Sequence, residues 1–235
     1  LPEAKYIINS HIMVMEKPTT ALILAGGKGE RLRPLTDDRP KPMVVVNGKP
    51  IIQYQLEWLR DNGISKAFLL TGYLHNVIND YFASQPIHGL DVQCIKEESP
   101  LGRGGAFKHG YYEAGLDDSL VYASNGDIYT TISFDDLCAV HSNEQAMATI
   151  ALTPMISPYG VVDTDESMVT GFREKPQLPY WINSGAYLLS KETLDLFPDI
   201  GDHETTVFPD LAKQGKLAAH KSYEFWRSLE TVKDL

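Results

Sequence analysis

The sequence is poor in cysteine and has no long apolar run. Cys94 and Cys138 are its only cysteines, too few for a disulfide framework, and neither joins a histidine at zinc-ligand spacing. A stapled secreted scaffold and a zinc module are thereby excluded, and a reducing, cytoplasmic location fits best. Apolar stretches end after a few residues, far short of the roughly 20 that cross a bilayer, so no membrane partner is expected. The opening residues lack a long apolar segment and a small-residue cleavage site, which argues against a secretory signal. Positive charge is scarce: 21 Lys and Arg against 31 Asp and Glu leave a formal net charge of −10, unsuited to nucleic acid or an anionic membrane. No repeat, low-complexity tract or long linker divides the chain, and 235 residues suit one fairly large domain. Residues 1–18 read as a leader or extension, leaving a single domain over 19–235. The sequence does not set the oligomeric state.

The positive charge that is present is gathered in one place. Between Lys28 and Lys41 stand five basic residues (Lys28, Arg31, Arg33, Arg39, Lys41) against three acids (Glu30, Asp37, Asp38). This segment follows the apolar run "ALIL" and carries the glycines Gly26, Gly27 and Gly29. It matches neither common phosphate fingerprint. The dinucleotide motif requires glycine where Leu32 stands, and no Gly-Lys-Ser or Gly-Lys-Thr closes a Walker loop. The physical logic still holds, because glycines at the carboxyl end of a buried strand let backbone N–H groups approach a polyphosphate. Prolines 40 and 42 bracket Lys41, which stiffens the segment and biases Arg39 and Lys41 away from helix.

Along the chain, strand and helix patterns alternate. Residues 20–25 read as a strand, "IIQYQLEWLRDNG" as a helix stopped at Asn62-Gly63, "KAFLLTG" as a strand and "NVINDYFAS" as a helix. "LDVQCIKE" then reads as a strand, "GGAFKHGYYEAG" as a helix and "SLVYASNGD" as a buried strand. Such alternation predicts a three-layer α/β/α, Rossmann-like domain on a mixed, mostly parallel sheet. Beyond Thr130 the strand-like runs crowd together and predict antiparallel or crossing additions, with helices near 191–197 and 204–214. Ligands of such sheets bind at the carboxyl ends of the strands, where the unusual residues fall.

Asp127, in "SNGD", stands at one of those ends, and a single carboxylate with phosphate oxygens and water suffices to hold magnesium. Asn-Gly is equally a two-residue hairpin signal, so these residues also read as a plain turn. "PLGRGGAFK" supplies Gly102 and Gly104, either a loop at a helix start or a glycine wall for a base or ribose. "FREKP", "YG" and "NSG" each read alone as surface turns.

Taken in order, "LAGGKGERLRPLTDDRPKP", "EESPLGRGGAFK", "NGD", "FREKP" and "INSGAY" resemble the sugar-1-phosphate nucleotidyltransferases, over about Thr20 to Leu235. The resemblance implies an α/β/α nucleotide-binding domain that converts an NTP and a sugar 1-phosphate to an NDP-sugar and pyrophosphate with Mg2+. Many members carry a further left-handed β-helix domain, which is not expected here. By the same resemblance Ala25, Gly26, Gly27, Lys28 and Gly29 cradle the triphosphate, with Gly102 and Gly104 beside the nucleotide. Arg31 and Lys41 hold the phosphates undergoing transfer, Asp127 holds the metal, and Lys175 holds the incoming sugar phosphate. Gly160, Glu174 and Asn183 fall where the family contacts sugar hydroxyls.

By the same resemblance, Glu97 stands where thymidylyl- and uridylyltransferase relatives carry a base-reading glutamine. A carboxylate only accepts hydrogen bonds, and guanine offers two adjacent donors where uracil or thymine offers one between acceptors. GTP with a mannose or manno-heptose 1-phosphate is therefore expected. A UTP- or dTTP-dependent glucose-1-phosphate enzyme is one alternative, and a catalytically silent nucleotide-sugar-binding regulatory subunit is another. Choline-phosphate cytidylyltransferases share the opening motif but match poorly at "PLGRGG" and "FREKP". Two residues depart from the pattern. Arg103 replaces a small residue, often threonine, and is expected to point to solvent. Ser228 replaces an aspartate that serves as second metal ligand, so Asp127 and the nucleotide are expected to carry magnesium.

Overall fold

The computed structural model describes residues 15–231, so the expected leader lies outside the described residues as far as residue 14. Residues 15–18 belong to the domain. Met15 packs against the core, and Lys17 bonds Asp135 at 2.6 Å. The expectation set this segment aside too far along the chain.

The chain opens with β1 (Thr20–Leu24), passes through the short strands β2 (Val45–Val46) and β3 (Lys49–Pro50), and enters α1 (Ile51–Asp61). Then follow β4 (Lys66–Thr71), α2 (His75–Ser84), β5 (Asp91–Lys96), α3 (Gly102–Glu113) and β6 (Leu120–Asn125). The second half holds β7 (Ile128–Thr130), α4 (Phe134–Glu144), β8 (Ala148–Ile156), the hairpin strands β9 (Val161–Asp165) and β10 (Met168–Arg173), and β11 (Gln177–Ser190). It ends with α5 (Lys191–Leu196), α6 (Val207–Lys213), β12 (Leu217–Lys221) and β13 (Trp226–Ser228). Seven strands form the main sheet in the order β12, β8, β11, β6, β1, β4, β5. All pairings are parallel except those of β11 with β6 and with β8.

Side chains alternate across a strand, and this divides the core into two. Ala21 and Ile23 of β1, Tyr122 of β6 and Leu188 of β11 face one layer, where α1, α2 and α4 supply Leu56, Leu59, Ile78, Phe82 and Leu137. Leu22, Val121, Tyr187 and Leu189 face the other, where α3, α5 and α6 supply Phe107, Tyr111, Leu194 and Phe208. Both faces of the central strands are thus covered, which is why "ALIL" reads as an unbroken apolar run. Leu22 and Leu56 are fully buried, and each such side chain contributes about 1.5–3 kcal/mol.

Helix α4 lies in the half where crowded strands and two later helices, but no helix at this position, are expected from the sequence. Ser133 caps it, its Oγ accepting from the Asp136 N–H at 3.2 Å, and Asp135 and Asp136 complement the positive helix start.

Candidate active site

Residues 25–29 leave β1 at its carboxyl end. The Ala25 N–H donates to the Leu70 carbonyl at 2.8 Å and Ala25 is buried, so its amide cannot reach a ligand. Ala25 anchors the loop to β4, and the expected cradle begins one residue later. The N–H groups of Gly26, Gly27, Lys28 and Gly29 donate to no other described residue. Such consecutive free amides form an anion-binding concavity. Gly29 adopts φ +63°, and a side chain there would stand 2.9 Å from Lys41 Cβ. The loop therefore closes directly on Lys41.

Lys41 does not stay extended. It opens a single 3₁₀ turn, Lys41–Met43, with Pro40 ahead of it. Proline is accepted in a first turn because those N–H groups have no helical partner, so Pro42 stiffens this turn rather than preventing it. A second 3₁₀ turn, Glu30–Leu32, carries Arg31.

The "NGD" segment is locked beside this loop. Gly126 N–H donates to the Leu24 carbonyl at 2.8 Å, and a Cβ at 126 would stand 2.6 Å from that oxygen. From α1, the buried Gln55 donates to Ser124 Oγ and to the Asn125 carbonyl, both at 3.0 Å. The chain turns at Gly126-Asp127, but β7 pairs with β13 rather than folding back on β6, so the expected hairpin does not form, and Asp127 lines the cleft beside the loop. Asp127 pairs with Lys41.

The Leu229 N–H donates to the Asp127 carbonyl at 2.9 Å, which brings the chain after β13 alongside. There sits an acid that the sequence reading missed. Glu230 pairs with Arg31 and approaches Lys41 Nζ to 3.7 Å. Ser228, the departure from the family aspartate, donates its Oγ to Glu230 Oε1 at 2.9 Å. Residues two apart on an extended segment share a face, a signal that places Glu230 beside Ser228. Arg227 and Leu229 alternate to a separate, mainly apolar pocket of about 290 Å³ with Tyr54, Tyr129 and Phe225. The charged groups line a cleft of about 570 Å³ with three cations, Lys28, Arg31 and Lys41, and three carboxylates, Glu30, Asp127 and Glu230.

Glu97 flanks this loop. Its Oε1 lies 2.6 Å from where a Cβ on Gly26 would be, and its Oε2 accepts the Leu101 N–H at 3.0 Å. Burial pushes its carboxyl above the ordinary glutamate value. Gly104 does not form the expected wall. It is buried, and a Cβ there would meet the His203 nitrogen at 2.8 Å. Gly102, at φ +75°, faces the Gly201 carbonyl at 2.6 Å in the same way. The Gly104 and Gly105 N–H groups both donate to that carbonyl, so these glycines exist to admit the loop over residues 199–203. Arg103 does not point freely to solvent either: it pairs with Asp202 and, at 2.8 Å, with Glu204.

The expected sugar contacts lie apart from the charged cleft. A Cβ on Gly160 would meet Phe172 at 2.6 Å and Glu174 Oε2 at 3.2 Å, so Gly160 and Glu174 are neighbours. Lys175 is exposed and holds φ +44°, a region that costs a side-chain-bearing residue about 1–3 kcal/mol and recurs at functional sites. Asn183 sits on β11 near the "NGD" turn, since a Cβ on Gly185, two residues on, would collide with the Asn125 side-chain amide. The structure thus joins Gly27, Lys28, Gly29, Arg31, Lys41 and Asp127 in one cleft, with Gly26 and Glu97 at its flank.

No helix among the described residues is long and apolar enough to cross a membrane. The sequence profile of the nucleotidyl transferase family matches residues 20–235. A probable glucose-1-phosphate cytidylyltransferase of Bacillus subtilis (strain 168) is 29% identical, covering 92% of each chain. A D-glycero-alpha-D-manno-heptose 1-phosphate guanylyltransferase of Aneurinibacillus thermoaerophilus is 35% identical over 73% of this chain and 74% of its own. A crystal structure of HddC from Yersinia pseudotuberculosis complexed with GMP-PN superposes with a TM-score of 0.71 at 29% identity, covering 92% of this chain and 96% of that one. With the profile spanning nearly all of the described domain and the free amides, cations and Asp127 gathered at one strand end, the chain belongs to the sugar-1-phosphate nucleotidyltransferases, enzymes of the nucleotidyl-transferring class.

Proposed function

We propose that this protein transfers the nucleoside monophosphate of GTP to a manno-configured hexose or heptose 1-phosphate, releasing pyrophosphate. The observation that carries the reading is the run of free amides at residues 26–29 closed against Lys41, Arg31 and Asp127. A sugar 1-phosphate is mostly dianionic near neutral pH, its second pKa being about 6, so its oxygen needs no general base to attack the α-phosphorus. The barrier is the approach of two polyanions. The residue 26–29 amides and Arg31 hold the triphosphate in place, Lys41 stabilises charge on the α-phosphoryl oxygens, and Lys175 brings in the sugar phosphate. Gly160, Glu174 and Asn183 contact the sugar hydroxyls.

The cleft lining carries equal numbers of cations and carboxylates, so an arriving triphosphate adds uncompensated negative charge. Asp127 and Glu230 offer hard oxygen donors around the Lys41 ammonium, and that donor set fits magnesium, which needs only one or two carboxylates besides phosphate oxygens and water. Bound there, magnesium supplies neutralisation of the phosphates. Arg31 and Lys41 must then exchange their carboxylate partners for phosphate oxygens.

Glu97 supports guanine, because its acceptor-only carboxylate beside Gly26 suits the N1–H and amino donors of that base. The name of the heptose relative and the GMP-PN complex agree, while the cytidylyltransferase relative favours CTP as a second reading. Pyrophosphate release measured with GTP, CTP, UTP, dTTP and ATP against a panel of sugar 1-phosphates decides. GTP is expected to turn over fastest, and a faster reaction with any other nucleotide rejects the Glu97 argument.

A further inference from the structure

Asn183, the proposed sugar contact, has little of its amide left for a ligand. Its Nδ2 donates to Tyr187 Oη at 2.8 Å and to Glu204 Oε1 at 2.9 Å, which uses both hydrogens. Its Oδ1 accepts the Gly185 N–H at 2.8 Å, leaving one lone pair. Tyr187 donates to the same Glu204 oxygen at 2.9 Å. The other Glu204 oxygen takes Arg103 at 2.8 Å, and Arg103 Nε also donates to Asp202 Oδ2 at 2.8 Å. Asp202 in turn accepts the Glu204 N–H at 2.9 Å. The Arg103 and Glu204 side chains are 41% and 27% exposed, so the pair borders open space rather than the core.

This arrangement fixes which way the Asn183 amide faces. An asparagine amide turned by 180° presents a donor where an acceptor stood. The Gly185 N–H on Oδ1 and the Glu204 carboxylate on Nδ2 hold that orientation from the two ends of the amide. Arg103 holds Glu204, and it stands two residues beyond Leu101, whose N–H binds Glu97. Arg103 therefore links the nucleotide flank at the start of α3 to the sugar floor on β11.

We propose that Arg103 and Glu204 are positioning residues of the sugar subsite, setting sugar 1-phosphate affinity by holding Asn183 as a hydrogen-bond acceptor for a sugar hydroxyl. The inference rests on the reading of Asn183 as a sugar contact. Arg103→Thr and Glu204→Ala are each expected to raise the KM for sugar 1-phosphate about tenfold, the scale of one hydrogen bond, with the KM for GTP within twofold of wild type. Arg103→Lys, which keeps a cation for Glu204, is expected to recover most of that loss. A KM for GTP that rises more than that for the sugar overturns the proposal, as does a fall in Tm with both KM values unchanged. The Asn183 side-chain amide resonances supply a readout independent of turnover. They are expected to be separated and protected from exchange in wild type, and to lose that protection in Glu204→Ala and Arg103→Thr. Unchanged resonances in both variants overturn the positioning role, whereas a wild type without pyrophosphate release, its amide still protected, refutes the functional reading alone.

Discussion

Replacing Lys41 by methionine removes one charge and almost no volume. Its side chain is 14% exposed and its ammonium lies between Asp127 and Glu230, so the two carboxylates are left facing each other across an apolar stem. Loss of one preorganised contact to developing charge costs about 3 kcal/mol, and each 1.36 kcal/mol is a factor of ten. Turnover is expected to fall at least a hundredfold. The folding cost is smaller, about 1–3 kcal/mol, because the pair is neither fully exposed nor fully desolvated. For a domain of this size that shifts Tm by no more than about 10 °C. Lys41→Arg keeps the charge on a longer, planar group beside the Gly29 turn and is expected to recover only part of the rate. Coupled pyrophosphate-release assays with thermal melts of the same preparations separate the two effects. A folded Lys41→Met protein with turnover within threefold of wild type refutes the assignment of Lys41 to the transferring phosphates.

Lys175→Gly relieves a left-handed backbone conformation at φ +44° and is expected to gain about 1 kcal/mol of stability while kcat/KM for sugar 1-phosphate drops about a hundredfold; an unchanged Tm by calorimetry rejects the strain argument. Glu97 is raised above its unfolded value by burial, so its contribution to stability is present below the ordinary glutamate pKa and is lost as pH rises through the folded value. Glu97→Gln is therefore expected to hold or raise Tm at pH 7 while the KM for GTP rises about tenfold, and an unchanged KM rejects base reading by this carboxylate. His203 is fully buried against Phe107, Phe197 and Phe208, and burial pushes it down to about 4. The unfolded chain binds a proton below about 6.5 that the fold refuses, so stability is complete above that pH and falls by up to about 3 kcal/mol as pH drops to about 4. Chemical denaturation of His203→Phe across this window is expected to show a flatter profile than wild type, and parallel profiles reject His203 as the source.

The first half of the fold was legible because each β and α segment declares its period and its stop, as in Ile51–Asp61 ended by Asn62-Gly63. In the second half, α4 was passed over although Ser133 and Asp136 form a capping pair, because crowded strand-like runs on either side dominated the pattern. The charged loop announced itself through glycine and proline chemistry, yet Lys41 took up a 3₁₀ turn that bracketing prolines permit as readily as they permit extension. Gly104 shows where local reading fails: a glycine that admits a ligand and one that admits a loop distant in sequence look alike until residues 199–203 are seen against α3. Arg103 and Glu230 failed for the same reason, since their partners Glu204 and Arg31 are far away along the chain.

The central claim is tested most directly by following pyrophosphate and NDP-sugar together for the wild-type protein with GTP and a manno-configured sugar 1-phosphate over a range of magnesium concentrations. The account predicts equal amounts of the two products, release that requires both substrates, and a lower magnesium requirement in Ser228→Asp. GTP binding by calorimetry without turnover at any magnesium concentration, with activity appearing only in Ser228→Asp, would contradict it and mark the cleft as a binding site that has lost its chemistry.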